Sequence, residues 1–113
     1  MNSQPGKLLR VYVNESDRYN GKPLYEAIVD RCRDLRIAGV TVFRAFEGFG
    51  ETAEVHHHHL FRGNQPMVIT IVERQERIEE MLPILEDMMS GGILAVTDVQ
   101  VTVVSKGART ALP

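Results

Sequence analysis

Cysteine occurs once in this chain of 113 residues, at Cys32, so no intramolecular disulfide can form. The lone thiol falls on the apolar side of a predicted helix, where a reduced, buried residue of a cytoplasmic protein is expected. Charge of one sign is also scarce. The formal net charge is −2 and no basic face stands out, which argues against a nucleic-acid binder. No apolar run approaches the roughly 20 residues that a membrane helix needs. Residues 1–6 lack the apolar stretch of a signal peptide, so none is expected. No Ser/His/Asp order, Cys/His nucleophile pair or phosphate-binding loop motif is found, and catalysis is not indicated. The length fits one domain.

The elements follow from period and punctuation. Residues 7–14 alternate, with Leu9, Val11 and Val13 on one side and Leu8, Arg10 and Tyr12 on the other, which predicts a first strand. A polar loop covers 15–22. Pro23 suits the first turn of a helix, and Leu24, Tyr25, Ile28, Val29, Cys32 and Leu35 recur at helical spacing after it. Arg36 suits the negative end of the helix dipole, and Gly39 is expected to close the helix in the left-handed conformation. A second strand covers 40–47 and a third 67–73. The spacing of Ile78, Met81, Leu82, Leu85, Met88 and Met89 predicts a second helix over 75–89. Pro83 interrupts it, so a bend or a late start is expected. Ser90-Gly91-Gly92 ends that helix, and a fourth strand covers 96–104.

The third strand is the informative one. Met67, Ile69 and Ile71 face one side, while Val68, Thr70 and Val72 face the other. A strand apolar on both faces is buried on both faces. In a two-layer domain the helices cover only one of them, and another copy of the chain is the economical cover for the second. The order β-α-β-β-α-β is the split β-α-β pattern. Right-handed crossovers give an antiparallel sheet of order 4-1-3-2.

The remaining features concern ligands. Gly48-Phe49-Gly50 stands where the second strand ends, and two glycines one residue apart allow close backbone approach to an anion. A simple hinge is the alternative. The segment 49–65 is long for a connection between strands, where about 2–5 residues is usual, and such loops contact partners. It holds all four histidines, His56 to His59. In an extended chain His56 and His58 share a face. They could contribute to a divalent metal site only with ligands from Glu51, Glu54 or symmetry copies, since zinc takes three or four protein ligands. Arg44 could snorkel at an edge or reach an anion between subunits. Ser90-Gly91-Gly92 reads either as a helix cap or as a turn facing phosphate.

Taken together, Gly21-Lys22-Pro23-Leu24-Tyr25, Ile37-Ala38-Gly39-Val40-Thr41-Val42, Arg44, Gly48-Phe49-Gly50, His56 and Leu82-Pro83-Ile84-Leu85 resemble the PII-like proteins of the domain of unknown function 190 family. The likeness spans about residues 7–104. It implies a ferredoxin-like fold, two helices on one face of a four-stranded sheet, assembled as a homotrimer. Residues 1–6 are expected to form a disordered tail, 7–104 the domain and 105–113 a C-terminal tail. The resemblance also implies a non-enzymatic regulator in signal transduction. Its small effector, an adenine nucleotide, would bind in clefts between subunits, touching Arg44, Gly48, Gly50, Ser90, Gly91 and Gly92. The loop 49–65 would control a target such as a membrane transporter or channel. A metal-responsive trimer built on His56 and His58 is the alternative. The turn 90–95 carries no lysine, which shifts the expected effector toward fewer phosphates.

Overall fold

Odd and even residues of the strands meet different surroundings in the computed structural model, which describes residues 2–45, 47–48, 56–57 and 64–104. The long elements are β1 (Asn2–Asn14), α1 (Leu24–Asp34), β4 (Gly39–Arg44), β7 (Pro66–Glu73), α2 (Gln75–Met88) and β8 (Ile93–Val103). Two short hairpins interleave with them. One joins β2 (Arg18–Tyr19) to β3 (Lys22–Pro23), the other β5 (Glu47–Gly48) to β6 (His56–His57). The four long strands form one antiparallel sheet in the order β4-β7-β1-β8, with the most apolar strand, β7, in the interior. This is the expected ferredoxin-like split β-α-β sandwich.

Both helices lie on the face that carries Leu9, Val11, Val13, Met67, Ile69 and Ile71, and all six are buried. Helix α1 contributes Leu24, Ala27, Ile28 and Cys32 to this core, and α2 contributes Ile78, Met81 and Leu85. Each fully buried aliphatic side chain stabilises the fold by roughly 1.5–3 kcal/mol. Cys32 has no exposed surface. Burial pushes its thiol up to about 11, so it stays neutral and is no nucleophile at ordinary pH.

The chain differs from the sequence expectation in several places. Residues 2–6 are strand, not a disordered tail: they extend β1 and pair with β8 from Asn2↔Val103 to Gly6↔Val99. The β7 ladder stops at Lys7↔Glu73, so this stretch is a ribbon with an open side, which is where a strand tolerates a proline such as Pro5. Helix α1 is closed by Arg36, at φ 57°, rather than by Gly39. The Arg36 N–H donates to the Arg33 carbonyl and the Ile37 N–H to the Cys32 carbonyl, both at 3.0 Å. That pair of bonds is the Schellman closure, set three residues earlier than the glycine. Gly39 instead opens β4. Helix α2 runs through Pro83. Pro83 and Glu79, whose carbonyl loses its helical donor there, are both exposed, so the missing bond falls on the solvent side of the helix, where its loss costs least. Asn20 at φ 50° and Gly21 at φ 83° make the tight turn of the first hairpin.

Among the described residues one carboxylate lies inside. Glu73 is fully buried and accepts hydrogen bonds from the Ala38 N–H at 3.0 Å and the Arg74 N–H at 2.9 Å. It thereby fixes the entry to β4 and the start of α2 to the end of β7.

Candidate functional site

The candidate residues gather at one end of the sheet, where β1 and β4 finish and β7 and β8 begin. Arg44 is the last residue of β4 and is not free to reach outward unopposed. Its guanidinium forks onto Glu15, with Nη2 at 2.9 Å from one carboxylate oxygen and Nη1 at 3.1 Å from the other. Glu15 is mostly buried and also accepts from the Gln65 N–H at 3.5 Å. The Glu15 N–H in turn donates to the Gln65 carbonyl at 2.8 Å. Gln65, itself buried, offers its side-chain oxygen to Arg44 at 3.4 Å. Asp17 closes the turn after β1 by accepting from the Asn14 N–H at 2.9 Å, and Ser16 donates to Asn64 at 2.7 Å. These bonds tie residues 14–17 to 64–66 and hold Arg44 at the root of the segment between β4 and β7. Because the Arg44 side chain is 46% exposed, the ion pair contributes at most about 1 kcal/mol. Its geometry matters more than its energy, since a forked arginine presents its remaining edge in a fixed direction.

Gly48 stands opposite His56 and Glu47 opposite His57 in the β5–β6 ladder. The connection after β4 therefore begins as a ribbon, bringing the Gly48 and His56 backbones together. Gly50 and His58 lie outside the described residues, as does most of 49–65. Among the described residues no three His, Cys, Asp or Glu side chains gather to hold a metal ion.

Ser90, Gly91 and Gly92 form the link from α2 to β8. Gly92 sits at φ +123°, and a Cβ there would lie 2.5 Å from the Tyr12 carbonyl oxygen and 2.8 Å from the Met89 methyl. Only glycine fits. This close approach pins the turn against the end of β1.

A single protomer does not bring the two groups together. The register Phe43↔Val68, Val68↔Tyr12 and Tyr12↔Ile93 runs straight across the four strands. Arg44 and Gly48 thus follow one edge strand and Ser90–Gly92 precede the other, separated by three strand spacings, roughly 14 Å. Open clefts among the described residues lie elsewhere on the protomer. One is bordered by Tyr19, Arg31 and Asp87, another by Lys7, Arg74 and Asp98, and neither includes a candidate residue.

The face turned away from the helices carries Phe43, Tyr12 and Ile93 at 54%, 39% and 53% exposure, in one row with Val68. Such a contiguous apolar row on a sheet marks an interaction surface.

The sequence profile of the domain of unknown function 190 family, described as an uncharacterized ACR, matches residues 6–101. The chain belongs to this family. A UPF0166 protein of Aquifex aeolicus (strain VF5) is 35% identical over 97 residues, covering 84% of this chain and 91% of that one. A UPF0166 protein of Methanocaldococcus jannaschii is 31% identical over 98 residues, covering 84% and 90%. Among solved structures, the chain is similar to CPII, a nitrogen regulatory PII-like protein from Thiomonas intermedia K12 bound to ADP, AMP and bicarbonate. The TM-score is 0.63 at 20% identity, over 88% of this chain and 91% of that one. The PII-like form of the fold follows. Glu15 and Gln65, the partners of Arg44, had no signal in the sequence, because nothing in local spacing joins positions so far apart.

Proposed function

We propose that this protein is a non-enzymatic, PII-like regulator in signal transduction that works as a homotrimer and binds a small effector between subunits. The observation that carries the reading is the split of the candidate residues between opposite edges of one sheet. A ring of protomers that buries the apolar outer face sets the β4 edge of one copy beside the β8 edge of the next. Arg44 and Gly48 of one subunit then face Ser90, Gly91 and Gly92 of its neighbour. A guanidinium with a fixed edge and a glycine-built turn suit a phosphate-bearing ligand.

An adenine nucleotide is the effector class we favour, supported by the ADP and AMP bound to the similar CPII. The turn 90–95 of this chain has no lysine to neutralise a third phosphate. ADP and AMP therefore bind more tightly than ATP. The effector shifts the segment 49–65 between states by binding them unequally, and that segment controls a partner, with a membrane transporter or channel as the target class. None of the helices among the described residues is long and apolar enough to cross a membrane.

Titration calorimetry against AMP, ADP and ATP tests the proposal. Expected are heats with AMP and ADP at one site per chain, weakened at least tenfold by Arg44→Ala. No heat with any adenine nucleotide overturns the effector assignment.

A further inference from the structure

Among the described residues, the outer face of the sheet carries one charge. Its side chains in the four-stranded region fall into three cross-strand rows: Phe43, Val68, Tyr12 and Ile93; Thr41, Thr70, Arg10 and Ala95; and Gly39, Val72, Leu8 and Thr97. Arg10 is half-buried in the middle row, on a central strand, and among the described residues no acidic one shares the face with it. Among the described residues, no ion pair or hydrogen bond engages its guanidinium. A cation taken out of water without a counter-charge is costly, and the described residues supply none on this surface. The neighbouring positions instead offer hydroxyls. Thr70 stands directly opposite Arg10, and Thr41 stands opposite Thr70.

We propose that the assembled protein holds an inorganic oxyanion, of the phosphate or sulfate class, on its symmetry axis between the three sheets. It is bound by the Arg10 guanidinium of each copy, with the Thr70 hydroxyls as further donors. The proposal rests on the homotrimer described above, because a lone protomer leaves Arg10 facing water. Three guanidiniums converging in a space walled by Tyr12, Val68 and Leu8 repel one another, and a multiply charged anion converts that repulsion into attraction. The site differs from the effector clefts in place and in number: one per trimer rather than three.

The test uses inorganic phosphate against chloride at equal ionic strength, with native protein, Arg10→Met and Arg10→Lys. The measurements are sedimentation equilibrium, thermal unfolding and equilibrium dialysis of labelled phosphate. Native protein should be trimeric in both salts, bind one phosphate per three chains and unfold roughly 4 °C higher at about a hundred times the Kd. Arg10→Met should stay trimeric and lose both the bound phosphate and the shift. Arg10→Lys, which keeps the charge without the fork, should bind at least tenfold more weakly. A native trimer indifferent to phosphate overturns the anion site and leaves the assembly standing. So does an Arg10→Met trimer that still responds, or one that falls apart in both salts because Arg10 pairs with a partner carboxylate. A native protein that sediments as a protomer in both salts overturns the assembly itself.

Discussion

Ile69 and Val68 are neighbours in β7 and meet different solvents. Ile69 is fully buried beneath the helices, while Val68 stands on the open face between Tyr12 and Phe43. The contrast repeats along the strand, where buried and half-buried residues alternate without a break from Pro66 to Glu73. A strand that pointed one face to bulk water would carry polar residues there. This one places valines there, beside two exposed aromatic rings. The helix-covered face of the central strands β1 and β7 is finished within the protomer. On the proposed reading the other face is finished by further copies of the chain, and the effector clefts would come from the same act of assembly.

The contrast is open to attack by substitution. Ile69→Ala removes a fully buried side chain and should lower protomer stability by about 4 kcal/mol in chemical denaturation. Gly92→Ala strains a left-handed turn and drives a methyl into the Tyr12 carbonyl, so a loss of about 3 kcal/mol is expected in the same measurement. If it costs nothing, the turn is not pinned against β1. Arg36→Gly relieves a non-glycine residue at positive φ in the α1 closure and should stabilise by about 1 kcal/mol, read as a shift in the denaturation midpoint. Phe43→Ser should change the stability of the dissociated protomer by less than about 0.5 kcal/mol. It should nonetheless weaken association at least a hundredfold by sedimentation. Were Phe43→Ser as damaging to the protomer as Ile69→Ala, the two faces would not differ in kind.

The sheet order and the two-sided character of β7 were legible because a strand's period of two separates its faces without reference to anything distant. The helices were legible for the same reason at their own period. The Asn20-Gly21 turn carried a strong hairpin signal, and its flanking strands are so short that the polar loop reading obscured it. Residues 2–6 gave no strand pattern, since Asn2, Pro5 and Gly6 have low strand propensity and the stretch is held by β8 alone. Gly39 drew the helix stop to itself, yet the Schellman bonds needed only a residue at Arg36, and tertiary context overrode the preference. In the site, Gly92 and Arg44 were visible as residue types. What engages them was not: Tyr12 for one, Glu15 and Gln65 for the other. Those contacts join residues far apart in the chain, and such partners leave no mark in local spacing.

The mass of the purified chain in solution tests the proposed assembly most directly. Sedimentation equilibrium at micromolar concentration should give a single species of three times the 12.7 kDa protomer mass. A stable 12.7 kDa species under those conditions would contradict it, because the outer face would then tolerate water and the two halves of the effector cleft would never meet.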